Sequence, residues 1–241
     1  MAIRASSISV NRKSDGSPVT EADVKAEQLI LARLAAILPN VTVIAEESFK
    51  PGGPLPDRFL LVDPLDGTRE FLSGQTDFTV NIALIDKGRP IVGAIYAPAL
   101  SGVYLAGATA YRAEVQPGEA LPAPDLLTVI NTSRRPPPSL RAVASRSHMD
   151  SETERWLRRL PASELRSAGS SLKFCLIACG DADVYPRLAP TMEWDTAAGH
   201  AIVNAAGGCV VGLEGTPLRY GKIDAGLRND GFIAWGREPG A

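Results

Sequence analysis

The chain has 241 residues, 45% of them apolar and 22% charged, and its formal net charge is −2. That length fills one large core or two small ones. A weakly acidic chain has no general electrostatic drive to coat nucleic acid or an anionic membrane, so positive charge for an anionic ligand must be local.

Residues 1–19 are polar and read as extended. Thr20-Glu21-Ala22-Asp23 then opens a helix, because Ala26, Leu29, Ile30, Leu34, Ile37 and Leu38 follow at helical spacing and Pro39-Asn40 stops it. Thr20-x-x-Asp23 also fits a capping-box-like helix start. Residues 41–45 read as a short strand ending at Glu46-Glu47, and residues 50–57, rich in Pro and Gly, as a loop. Residues 59–62 are an apolar strand that runs straight into Asp63. Residues 78–85, 91–96 and 103–106 read as strands of an antiparallel meander, with 86–90 as one of its turns. The proline-rich stretch 116–138 reads as connection and predicts a boundary between a half at 1–125 and a half at 126–241.

The second half alternates. Residues 141–144 read as a strand, 150–160 as a helix, 169–179 as a helix and 182–185 as a strand. Residues 195–206 read as a small-residue helix capped by Gly207-Gly208, and 209–212 as a strand. The expected architecture is an α+β half beside an α/β half, a sandwich of alternating α and β layers. No apolar run approaches the length of a membrane span, and the N-terminus has no signal-peptide apolar segment, so the expected location is cytoplasmic. Cys175, Cys179 and Cys209 are too few and too scattered for a disulfide framework or a zinc site and read as reduced core thiols.

Carboxylates recur at strand ends. Glu46 and Glu47 follow one apolar strand, Asp63 ends another, and Asp66 lies three residues on across a Pro-Leu turn. Gly67 permits the tight backbone there, Thr68 stands near a helix start, and Asp195 opens a distant helix. Aimed at one cleft, such acids would repel one another and raise each other's pKa, a penalty that a divalent cation removes. Oxygen-only ligands favour Mg²⁺ or Mn²⁺ over zinc. Spacing alone leaves a second reading open, in which Asp66-Gly67 is an ordinary turn and the acids face solvent.

The run Val62-Asp63-Pro64-Leu65-Asp66-Gly67-Thr68 and the distant Trp194-Asp195-Thr196-Ala197-Ala198-Gly199 resemble the two signatures of the inositol monophosphatase superfamily. Ala45-Glu46-Glu47-Ser48 and Thr20-Glu21-Ala22-Asp23 match two more of its motifs in the right order. Residues 78–85, Ser145-Arg146-Ser147-His148, residues 169–175 and Tyr185-Pro186-Arg187 resemble the CysQ-type branch of that superfamily. These are 3′(2′),5′-bisphosphate nucleotidases, which take adenosine 3′,5′-bisphosphate to AMP and phosphate.

The resemblance implies roles for matched positions. Glu46, Asp63 and the Leu65 carbonyl would hold a first Mg²⁺, and Asp63, Asp66 and Asp195 a second. Glu46 would also hold a third, weaker ion, and Mn²⁺ is a possible substitute. Asp23 with Thr68 would orient the attacking water, Gly67 and Thr68 would offer backbone N–H groups to the phosphate, and His148, Ser170, Lys173 and Arg187 would contact the nucleotide. The resemblance also implies inhibition by Li⁺ and a possible homodimer. The family's usual extra N-terminal helix has no counterpart in the few residues before Lys13, which leaves open whether this start is short by nature. Inositol-specific members carry an acid six positions before the tryptophan; here that position is Leu188, which counts against inositol phosphate. The rival readings are an inositol or broad sugar-phosphate phosphatase and a non-catalytic phosphate-binding protein on the same scaffold.

Overall fold

The computed structural model describes residues 10–12, 18–133, 140–147, 149–160 and 162–237. Its elements follow in chain order. β1 (Val10–Arg12) and β2 (Pro18–Thr20) form a short ribbon, and α1 (Glu21–Ile37) follows. Then come β3 (Thr42–Ala45), β4 (Arg58–Asp66), the short α2 (Thr68–Leu72), β5 (Thr79–Asp86), β6 (Arg89–Ala97), β7 (Gly102–Ala106), β8 (Ala110–Glu114) and β9 (Thr128–Val129). The second half holds β10 (Leu140–Ser145), α3 (Ser151–Arg159), β11 (Ala162–Ala168), α4 (Leu172–Ala178), β12 (Val184–Arg187), β13 (Thr191–Met192), α5 (Ala197–Ala205), β14 (Cys209–Gly212), β15 (Arg228–Asn229) and β16 (Phe232–Trp235).

β3 to β9 form a seven-stranded sheet in sequence order, antiparallel except for the parallel β3–β4 pair. The second sheet runs β11-β10-β12-β16-β14, with parallel pairs β10–β11 and β10–β12. Period-two alternation assigns the faces. On β4, Leu60 and Val62 pack with Leu34 of α1, while Phe59 and Leu61 join the central cluster around α4 and α5. On β10, Ala142 and Ala144 pack with Leu157 of α3, while Val143 faces the centre. The layers are therefore helix, sheet, helix pair, sheet, helix, as alternating motifs predict. The central cluster draws on both sides of the boundary expected near residue 125.

α5 is buried on every side from Ala197 to Val203, which explains its small residues: it lies between both sheets. Gly199 lets α4 press against it, since a Cβ there would fall 2.3 Å from Cγ of Phe174. Two expected helices are shorter than read. The one over 169–179 begins at Leu172, because Ser170 takes a left-handed φ of 52° and the Gly169 N–H is held by the Asp77 carboxylate at 2.9 Å. The one over 195–206 begins at Ala197, leaving Asp195 before it. Strands β8, β9, β11, β13, β15 and β16 escaped the sequence reading. No helix among the described residues is long and apolar enough to cross a membrane.

Candidate active site

The site begins at the Thr20 cap of α1. The Thr20 hydroxyl accepts from the Ala22 N–H at 3.0 Å, while its own N–H and hydroxyl donate to Asp23 Oδ2 at 2.7 and 2.6 Å. Asp23 is therefore fixed as a capping residue, and its second oxygen remains for work elsewhere. Oδ1 accepts the Thr68 hydroxyl at 3.0 Å. Thr68 opens α2 directly after Gly67, whose φ of 92° an L side chain rarely adopts and whose added Cβ would meet the Asp77 carbonyl oxygen at 3.0 Å.

The strand ends aim the acids inward. β4 carries Asp63 to the centre of the molecule, where it is 1% exposed and its Oδ1 accepts the Leu65 N–H at 3.0 Å. Glu46 follows β3, held by its N–H to the Val62 carbonyl at 3.1 Å, and its carboxyl bonds Asp63. Asp66 Oδ2 accepts the hydroxyls of Ser170 at 2.7 Å and Ser171 at 3.0 Å. Asp195 Oδ2 accepts the Thr191 hydroxyl and the Met192 N–H, the latter at 3.1 Å.

These contacts surround a cavity of about 230 Å³. Of the residues singled out in sequence, Glu46, Asp63, Leu65, Asp66, Gly67, Thr68, Ser170, Lys173, Arg187 and Asp195 line it. Asp23 stands just behind, through Thr68. His148 lies outside the described residues. Trp194 also lines the cavity and packs edge-on to Phe49, with ring centroids 5.5 Å apart.

The cluster is electrostatically strained. Burial, then the charges of Glu46, Asp66 and Asp195, push the Asp63 pKa well above the ordinary carboxylate range. Burial and the nearby Asp66 raise Asp195 to about 6, against the opposing pull of Arg187. Lys173 is buried beneath the cavity and donates to the Ser170 carbonyl at 2.5 Å; burial lowers its pKa to about 8, against the pull of Asp66. Arg187 Nη2 donates to the Pro190 carbonyl at 3.2 Å, while its buried Nε finds no hydrogen-bond partner among the described residues.

An all-oxygen donor set with mutual repulsion fits a hard divalent cation. Among the described residues, no three His, Cys, Asp or Glu side chains stand close enough together to hold a metal ion by themselves. Asp66 and Asp195 each accept hydrogen bonds from protein hydroxyls. Sites of this hardness are commonly completed by waters and substrate phosphate oxygens.

The model of the inositol monophosphatase family matches residues 2–234. The chain belongs to the inositol monophosphatase family. Within that family it is 44% identical over 224 residues to the 3′(2′),5′-bisphosphate nucleotidase CysQ of Escherichia coli K12, covering 91% of this chain and 86% of that one. Among solved structures it resembles CysQ from Bacteroides thetaiotaomicron, at a TM-score of 0.80 and 40% identity over 92% of this chain and 86% of that one. The inositol monophosphatase of Anabaena gives a TM-score of 0.72 at 27% identity, over 90% of this chain and 82% of that one. These likenesses agree with the layered fold described above.

Several residues of this family member's site were not legible in its sequence. Glu27 is buried and its Oε2 accepts the Glu47 N–H at 2.8 Å, which holds the Glu46-Glu47 turn. Glu70 lines the cavity and accepts from the Ser147 hydroxyl. Asp77 accepts the Gly169 N–H and pairs with Arg146 at 2.9 Å. Glu193, fully buried, accepts the Gly221 and Lys222 N–H groups at 2.6 and 3.1 Å and pairs with Lys222, which accounts for its absence from the cavity lining. A single acid in a polar stretch carries no local signal of such distant partners.

Proposed function

We propose that the chain is a magnesium-dependent phosphoric monoester hydrolase that removes the 3′-phosphate of adenosine 3′,5′-bisphosphate to give AMP. One observation carries the reaction class: Glu46, Asp63, Asp66 and Asp195 border one cavity with Thr68, whose hydroxyl leans on Asp23. The substrate is taken from the CysQ relatives, which span most of this chain. It fits a cavity in which Lys173 and Arg187 stand beside the acids and could receive a second phosphate.

The acids divide into two overlapping sets: Glu46, Asp63 and the Leu65 carbonyl, then Asp63, Asp66 and Asp195. Each set would hold one Mg²⁺, and Glu46 a third, weaker ion; Mn²⁺ shares the same donor preference. Bound divalent ions supply positive charge that acidifies water and stabilises a leaving oxygen. The remaining work belongs to the protein. Asp23 accepts through the Thr68 hydroxyl and so orients and deprotonates the attacking water without histidine. The backbone N–H groups of Gly67 and Thr68 face the phosphate. Ser170, Lys173 and Arg187 hold the nucleotide, and His148 is assigned there by its sequence match. Residues 1–125 thus carry most of the reaction chemistry, and residues 126–241 carry the substrate contacts with Asp195.

The likeness to the Anabaena inositol monophosphatase favours a second reading, an inositol or sugar-phosphate phosphatase. Leu188, in place of the acid that grips an inositol ring, counts against it. Phosphate release from adenosine 3′,5′-bisphosphate and from inositol 1-phosphate, measured side by side with Mg²⁺, separates the two. A clear preference for inositol 1-phosphate refutes the nucleotidase assignment, and release from neither would favour a binding protein.

A further inference from the structure

β5 runs antiparallel to β4 and sets Asn81 opposite Asp63 and Thr79 opposite Asp66. Its central face is Thr79, Asn81, Ala83 and Ile85, all buried. The Ala83 and Ile85 end of that face joins the apolar core, whereas the Thr79 and Asn81 end is polar. A buried amide is costly unless its groups are bonded. The Thr79 hydroxyl donates to Asn81 Oδ1 at 3.0 Å, and its oxygen also lies 2.5 Å from the Ser170 hydroxyl. That bond fixes the amide and turns Nδ2 the other way. Nδ2 donates to the Ser171 hydroxyl at 2.9 Å and reaches Asp66 Oδ2 only at 3.5 Å.

Ser171 holds the N-cap position of α4, where a serine oxygen ordinarily accepts from the first N–H groups of the helix. Among the described residues it makes no such bond. It is 2% exposed, and its oxygen lies 3.0 Å from Asp66 Oδ2 and 2.9 Å from the Asp195 carbonyl oxygen. A serine hydroxyl has one proton to give and accepts on its other side. With Asn81 Nδ2 donating to it, that proton is directed to Asp66 or to the Asp195 carbonyl. Asp66 ends β4 and Asp195 precedes α5, so Asn81 and Ser171 together tie down two acids that lie far apart in the chain. Giving up the cap costs helix stability, and a local rule broken in this way is expected at functional positions.

We propose that Asn81 is a positioning residue for the cation site between Asp66 and Asp195, acting through the Ser171 hydroxyl. The inference rests on the metal reading proposed above. It gives a role to the residue of the 78–85 motif that faces the acids. Calorimetric titration of Mg²⁺ into the substrate-free protein tests it, with circular dichroism and melting temperature as controls for folding. Asn81→Ala should weaken Mg²⁺ binding about tenfold or more relative to the wild type. Ser171→Ala should weaken it to a similar extent with α4 intact, since its hydroxyl does not cap the helix. The double variant should bind within about twofold of either single variant, because all three break one connection. Ser171→Ala decides alone if Asn81→Ala loses its fold. A wild type that binds no Mg²⁺ would overturn the metal reading and this inference with it. Wild-type binding together with unchanged affinity in folded Asn81→Ala or Ser171→Ala, or with losses that add in the double variant, would overturn this inference alone.

Discussion

The Asp23 carboxylate is shared between Thr20 and Thr68: one oxygen closes the cap of α1 and the other accepts the Thr68 hydroxyl at the cavity wall. A helix cap and a proton acceptor are usually argued as alternatives. Here the cap is what fixes the acceptor, because Oδ2 cannot turn away from Thr20 without opening the first turn.

The two roles separate by mutation. Thr68→Val removes the hydroxyl and leaves the cap intact. It should lower kcat by about 10²–10⁴-fold with little change in melting temperature. Asp23→Ala should lose similar activity and also destabilise the fold by about 1 kcal/mol through the lost cap. Steady-state kinetics paired with thermal melts check both. Equal stability loss in the two variants would refute the division of labour.

Gly67→Ala tests the backbone of the same segment. At φ 92° an alanine is strained, and its Cβ would press on the Asp77 carbonyl oxygen and Phe78. The expected loss is about 1–2 kcal/mol or more in chemical denaturation, with activity falling alongside. Wild-type stability and turnover in this variant would show that the turn does not fix Thr68.

Buried Lys173 predicts a pH dependence of stability. Its folded pKa of about 8 lies below the ordinary 10.5, so between these values the unfolded chain binds more protons. Stability from this group therefore rises with pH across that window. Lys173→Met should flatten the rise in denaturation curves taken between pH 8 and 10.5. An unchanged slope would mean that Lys173 is solvated.

The acids predict the opposite slope at lower pH. Asp63 and Asp195 are both raised, so the protein without divalent ions binds more protons folded than unfolded above the ordinary carboxylate range, for Asp195 up to about pH 6. This contribution weakens as pH rises through that window. Mg²⁺ must displace the same protons, so its affinity should climb from pH 5 to 7 with measurable proton release. Calorimetric titration in two buffers of different ionisation enthalpy reads that release, and pH-independent binding without it would refute the acid cluster as the cation site.

Legibility in the sequence followed physical range. The strand-end acids Asp63 and Asp66 stood out because an apolar run stops on them, and β5 stood out because its apolar residues run up to the Asp86-Lys87-Gly88-Arg89-Pro90 turn. α1 was marked at both ends by Thr20 and Pro39. β11 was invisible because, as an edge strand, it carries one large apolar residue, Leu165, among polar ones. The helix expected from Gly169 was cut short by Asp77, which lies 92 residues away. Glu27, Glu70 and Thr191 act through partners that only the folded chain brings near. The motif residues were thus readable singly or by resemblance, whereas the hydrogen bonds that aim them were not.

The central claim is that the acids around Asp63 form a metal site at which phosphate is cleaved. Asp66 tests it most directly, since Asn keeps its shape and its bonds from Ser170 and Ser171 while removing the charge. Turnover of adenosine 3′,5′-bisphosphate by Asp66→Asn, at saturating Mg²⁺ and with the fold verified, should fall by about 10²-fold or more. Turnover equal to the wild type would contradict the claim.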